Sequence, residues 1–215
     1  MTHYPQIICY SRGDSIPDKY IKINTTSRSS EKWSQHFSPF LLGPVKVKPF
    51  NTKIKVHVFE NAWQYSKQYK HHQDDETYLR WAISGFENKQ AVRYPMGVGA
   101  KPMWSLHKGK HLGYIEARFK IYAILYEKCI LKYAKTEFMK LKDMYDSGKK
   151  IALFDFDGHG YHLAGLKLKD VIYNTKRKMG HSFILIGMIT KNRFWDAEFD
   201  TNKIFLKSIP RYKKT

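Results

Sequence analysis

Cysteine and carboxylate are scarce in this sequence. Its 215 residues hold two cysteines, Cys9 and Cys129, far apart along the chain. That spacing argues against a disulfide framework and fits a reducing cytoplasm. Only 19 aspartates and glutamates stand against 38 lysines and arginines, a formal charge of +19. Such a surplus attracts polyanions at long range and points to nucleic acid as a partner. Long apolar runs are missing too. Phe183 to Ile189 is far too short to span a bilayer, so no membrane is expected. Met1-Thr2-His3-Tyr4-Pro5-Gln6 carries neither a basic nor an apolar signal region, which reads as no secretory signal. There is no GxSxG, Walker loop or GxGxxG, so acyl transfer and nucleoside-triphosphate chemistry have no support.

What is present describes a folded chain, with 42% hydrophobic and 15% aromatic residues. Without an internal repeat or low-complexity boundary, one mostly helical α+β domain over 1–215, with a few short strands, is expected. Gln6 to Tyr10 reads as a strand, and residues 24 to 36 as a polar, mobile loop. Ile54 to Phe59 alternates as a half-buried strand leading into a helix from Glu60 to Tyr69. Asp74 or Asp75 caps a second helix, which Gly85 ends. Ile115, Phe119, Tyr122, Ala123, Tyr126 and Ile130 recur at helical spacing and predict a long core helix over 112–134, with Cys129 as a small core hydrophobe. Glu137 to Ser147 reads as a shorter helix, Lys150 to Asp157 as a strand and Leu168 to Thr175 as helical. Ser182 to Lys191 suits a core helix or strand, and Arg211-Tyr212-Lys213-Lys214 a fraying basic tail.

Several groupings carry chemistry. On one helix Glu60, Gln64 and Lys67 share a face, its ends roughly 10 Å apart. A carboxylate, an amide and an amine so placed suit the anomeric carbon of a sugar; a solvated helix face has the same spacing. The loop over 91–109 mixes Pro and Gly with Arg93, Lys101, Trp104 and Lys108. It reads equally as a phosphate-holding loop or a basic surface loop. Asp155 and Asp157 alternate on one strand face before Gly158-His159-Gly160, near a ligand or as solvated acids. Arg177, Lys178 and Gly180 precede an apolar helix, whose N-terminus suits a phosphate. Among the ten histidines, His107/His111 and His159/His162 are spaced four and three apart, but glycines interrupt both pairs and no matching third ligand is evident. No metal or cofactor is expected.

Taken in order, these pieces resemble the NADAR superfamily of YbiA-like N-glycosidases. Phe37-Ser38-Pro39-Phe40 is similar to its opening Phe-Ser-Asn-Phe element, with Pro39 in place of Asn. Glu60, Trp63, Gln64 and Lys67 reproduce the spacing of its main helix, and Trp104 with Lys108 resembles its Trp–Lys pair before a long helix. Asp155-Phe156-Asp157-Gly158 and Met179-Gly180 stand where the family has an acidic glycine-rich element and then Leu-Gly; no Tyr-Trp-Gly follows Asp155. The similarity covers roughly 33–190.

The resemblance implies hydrolysis of an N-glycosidic bond, including removal of ADP-ribose from guanine in nucleic acid. Lys67 would act as a Schiff-base amine and Glu60 as proton shuttle. Trp104 would stack on a base, Lys108, Arg93 and the Gly180 amide would meet the pyrophosphate, and Phe37, Ser38, Trp63, Gln64, Asp155 and Asp157 would complete substrate binding. With the basic charge, ADP-ribosylated DNA is expected ahead of RNA. The composition also suits a cytoplasmic bacteriophage protein countering a DNA-modifying defence toxin. Two alternatives stay open: an N-glycosidase of a small nucleotide-like metabolite, and a non-enzymatic nucleic-acid- or toxin-binding protein with a degenerate site.

Overall fold

The computed structural model describes residues 5–213. Met1–Tyr4 and Lys214–Thr215, with the parts of the expected N-terminus and tail that fall on them, lie outside the described residues. The elements begin with β1 (Ile7–Tyr10), β2 (Ile21–Asn24), α1 (Lys32–Gln35), β3 (Val45–Val47), β4 (Ile54–Val56), α2 (Phe59–Gln64) and β5 (Lys67–Gln68). Then come α3 (Asp75–Glu87), β6 (Trp104–His107), β7 (Lys110–Leu112) and α4 (Tyr114–Ala117). A π-helical stretch, Arg118–Ala123, joins α4 to α5 (Ile124–Tyr133). The chain continues through α6 (Lys135–Asp146), β8 (Ile151–Phe154) and α7 (His181–Ile189), with short 3-10 turns between and after them. The fold is α+β. No helix among the described residues is long and apolar enough to cross a membrane.

By its internal packing the chain groups into two compact units, Met1–Ser38 with Ile130–Thr215, and Pro39–Cys129. No linker marks either boundary. One falls inside Phe37-Ser38-Pro39-Phe40 and the other inside α5.

In the first unit β8 lies between β1 and β2 and runs parallel to both. A central parallel strand is covered on both faces and therefore reads as an unbroken apolar run. Ile151, Ala152 and Leu153 are fully buried, as are Ile8 and Cys9 beside them. α7, whose nine residues are all buried, packs on β1. The expected mobile loop at 24 to 36 is instead an ordered segment containing α1. Its polarity serves internal bonds rather than solvent: Thr25 Oγ1 donates to Phe154 O at 2.8 Å, and Ser34 Oγ to Asn24 O at 2.7 Å. Nor does the tail fray at Tyr212. That ring is buried with Ile8, Ile16, Tyr20 and Ala152, and its backbone N–H donates to Asp14.

The second unit holds an antiparallel β3–β4 pair and an antiparallel sheet in the order β5-β6-β7. All six residues of α2 are buried. Phe59 sets its ring edge against Tyr122 and Tyr126, at centroid distances of 5.3 and 5.5 Å. The long core helix expected at 112–134 is realised as α4, the π-helical stretch and α5.

The helix expected from Glu60 to Tyr69 stops at Gln64. Ser66 Oγ donates to Trp63 O, Tyr78 donates to Tyr65 O, and Lys67 and Gln68 pair with Ser105 and Trp104 as β5. Tertiary bonds thus satisfy the terminal carbonyls and draw the chain into a sheet. Part of the expected loop at 91–109 is accordingly strand β6.

Gly85 does not end α3, which continues to Glu87. Its role is close packing: a Cβ there would stand 2.1 Å from the Tyr65 ring. Ala normally gains about 1 kcal/mol over Gly inside a helix. Here overpacking, worth ~1–3 kcal/mol, opposes it. Gly85→Ala is therefore expected to lower the urea midpoint; a raised midpoint would show that the ring moves away freely.

Candidate active site

α2 and the start of β5 gather four of the expected residues. Glu60 is buried at 6% exposure, and its Oε1 accepts from Gln64 Nε2 at 2.8 Å. Gln64 Oε1 in turn accepts from Lys67 Nζ at 2.7 Å. The three side chains form a line from carboxylate through amide to amine. The one-face helix geometry is corrected, since Lys67 sits on the strand rather than the helix, yet the turn at Tyr65-Ser66 still returns its amine to Gln64. Lys67 Nζ also lies 4.6 Å from the Trp63 ring centroid, a cation–π distance.

Trp63 connects this line to residues that no spacing in the sequence marks. Its ring meets Tyr122 at 5.0 Å and Tyr114 at 6.2 Å. The Arg118 guanidinium stands 4.5 Å from the Tyr114 ring, although the residue is only 2% exposed. Arg118 opens the π-helical stretch, a local widening that often accompanies a site. The signal available in the sequence is an arginine set between Ala117 and Phe119, among apolar residues at helical spacing.

Asn61 likewise carries no spacing signal. Fully buried beside Glu60, it donates to Asn88 O and Gln90 O and accepts from Val92 N. Trp104 joins the group through Gln68, whose Oε1 accepts from the indole N–H at 2.6 Å; its ring lies 4.7 Å from His111. Lys108 is exposed at the turn between β6 and β7, with φ +53°. Burial, with the Lys108, Lys120 and Lys48 ammonium groups, depresses His107 to about 4, a sign of the positive field there. Arg93 is half-buried, its guanidinium 5.3 Å from the Tyr94 ring.

The remaining candidates belong to the first unit. Phe37 is wholly buried with its ring edge-on to Trp33, and Ser38 is buried with its N–H donating to Gln35 O. Asp155 and Asp157 do not share a strand face. β8 ends at Phe154, and the Asp155 carboxylate turns back to accept from Asp157 N. Its other oxygen accepts from Ser182 N at 3.0 Å and lies 3.0 Å from His181 Nδ1. Burial pushes this carboxyl up, but His181 and the Ser182 and Asp157 N–H groups outweigh it and hold the group at about 2. The α7 N-terminus, expected to take a phosphate beside Gly180, is thus occupied by the protein's own carboxylate. A Cβ on Gly180 would stand 2.2 Å from it. Among the described residues no three His, Cys, Asp or Glu side chains gather in a way that could hold a metal ion.

The model of a family of unknown function (DUF6939) matches residues 13–162. The chain belongs to that family. The match includes Glu60 to Lys67 and the whole second unit, and it ends before Gly180. No curated protein and no solved structure matches the chain. The family brings no activity with it, so function rests on the chemistry of the residues.

Proposed function

We propose that this protein is an N-glycosidase that removes ADP-ribose from guanine bases of nucleic acid, with DNA ahead of RNA, and that it thereby counters a DNA-modifying toxin. The observation that carries the reading is the bonded line Glu60–Gln64–Lys67 beside the Trp63 ring. The formal charge of +19 favours a nucleic-acid substrate over a free metabolite. The resemblance of the same residues to the NADAR glycosidases supplies the reaction class.

In this mechanism Glu60 gives a proton to the ribose ring oxygen, and the bond from that oxygen to the anomeric carbon breaks. The carbon, now an iminium to the base, is attacked by the deprotonated amine of Lys67. A proton passes to the guanine nitrogen, its bond to the carbon breaks, and the sugar remains as a Schiff base on Lys67. Water adds to that carbon, the amine leaves, and ADP-ribose closes its ring. The net change is addition of one water. Gln64 holds acid and amine in register by donating to one and accepting from the other.

The test is an oligonucleotide carrying ADP-ribose on one guanine. The expected result is release of ADP-ribose and unmodified DNA, with KM rising steeply between 50 and 200 mM salt, conditions that span the usual counterion-release range. No release from DNA or RNA, with turnover of a small N-glycoside instead, would move the substrate to a metabolite.

A further inference from the structure

The segment from Arg93 to Pro102 leaves and rejoins the second unit at the flanks of the catalytic line. On one side Asn61, next to Glu60, holds Asn88, Gln90 and Val92. On the other Gln68, next to Lys67, accepts from Met103 N at 2.9 Å and from the Trp104 indole. Between these anchors the chain makes two successive turns, Gly97 N donating to Tyr94 O at 3.0 Å and Ala100 N to Gly97 O at 3.4 Å. Gly97 and Gly99 have φ of +86° and +89°, and nothing lies within 4 Å of where either Cβ would stand. Val98, held between them, is 85% exposed. Tyr94 and Met103, each 41% exposed, add apolar surface near the two ends of the segment in sequence.

A single exposed apolar residue means little. The charge around this one is informative. From Glu87 to Glu116 the chain holds no carboxylate between those two, while Lys89, Arg93, Lys101, Lys108 and Lys110 are all cationic. An apolar tip on a segment whose only charged residues, Arg93 and Lys101, are cations complements a partner that is anionic outside and apolar within, which is the chemistry of stacked bases under a phosphate backbone. Chemistry on a paired base also requires that base outside the stack.

We propose that residues 93–102 form a wedge that enters a DNA duplex beside a displaced nucleotide, Val98 filling the vacated stack and Arg93 and Lys101 meeting the flanking phosphates. The proposal rests on the nucleic-acid glycosidase reading and deepens it by naming the substrate as a duplex with one base drawn out.

Binding is measured by fluorescence anisotropy on an intact duplex, a single strand, and a duplex with one abasic position flanked by 2-aminopurine. The wild type is expected to bind the abasic duplex about tenfold tighter than the intact one and to raise 2-aminopurine emission. Val98→Asp, at an exposed tip that leaves the fold intact, loses both effects, and Val98→Leu keeps them. Equal binding of the two duplexes by wild type, or an undiminished preference in Val98→Asp, overturns the wedge. So does a Val98→Asp change that only converts a dimer to a monomer. Hydrolysis of the ADP-ribosylated oligonucleotide separates the two readings. Turnover without a duplex preference removes the wedge alone; a duplex preference without turnover removes the glycosidase alone.

Discussion

Lys67→Ala is expected to lower ADP-ribose release by at least ~10³-fold, because no other group replaces a covalent nucleophile. Lys67→Arg is expected to fare no better, since a guanidinium keeps its charge and forms no Schiff base. Glu60→Gln keeps the shape and a hydrogen-bonding oxygen toward Gln64 but removes the acid, and is expected to cost about 10²–10⁴-fold in kcat. Gln64→Ala leaves both reacting groups in place and removes what aligns them. It should reduce kcat by about 10²-fold with little change in KM. DNA binding measured on the same preparations should hold in all four variants. If turnover survived both Lys67→Ala and Glu60→Gln while binding stayed intact, the mechanism would be wrong. If turnover were absent from wild type too, the protein would be a binding module built on the same residues.

The second large effect concerns Asp155, which the sequence offered as a substrate ligand and the structure surrounds with protein donors. Both His181 nitrogens face acceptors, Nδ1 toward Asp155 and Nε2 toward Thr25 O at 3.0 Å, so both carry protons. This makes a buried ion pair at the mouth of the parallel sheet. Asp155→Ala strands the imidazolium and should destabilise the protein by about 3–5 kcal/mol in urea unfolding. The pH dependence follows from the depressed carboxyl. Its folded value of about 2 lies below the ordinary 3.8, so the stabilisation is fully present above 3.8 and is lost as pH falls through about 2. In wild type the unfolding free energy should decline across that window, and in Asp155→Ala this part of the decline should be missing. A variant as stable as wild type but with a raised KM would instead return Asp155 to the ligand role.

The parts of this fold that the sequence disclosed are those with local periodicity. The helix from Tyr114 to Tyr133 announced itself by apolar spacing, and Asp74 caps α3 as its position suggested, accepting from Thr77 N at 2.7 Å. The line Glu60–Gln64–Lys67 was legible in membership but not in form. Its last member is placed by a two-residue strand, too short for any pattern and fixed by pairing with Ser105 and Trp104. Long-range pairing hid the parallel sheet as well, because β8 joins strands from the far end of the chain. α7 could be read as helix or strand because a helix buried on every side has no polar face to give it a period. Polar residues misled in two places. Thr25 and Ser34, whose polarity suggests a mobile loop over 24 to 36, bond internally. The cations and glycine ahead of α7 suggested a phosphate where Asp155 already sits. Arg118 and Asn61 carried no spacing signal at all; their roles appear only once Tyr114 and the loop after Asn88 are brought to them.

Reductive trapping tests the Schiff base on Lys67 most directly. Wild type is incubated with the ADP-ribosylated oligonucleotide and cyanoborohydride, and the protein is then mapped by mass spectrometry. The expected result is a reduced ADP-ribose adduct on Lys67, with turnover falling as the adduct accumulates and no adduct in Lys67→Ala. Full-rate hydrolysis in cyanoborohydride with no adduct, or an adduct on a different lysine, would contradict it.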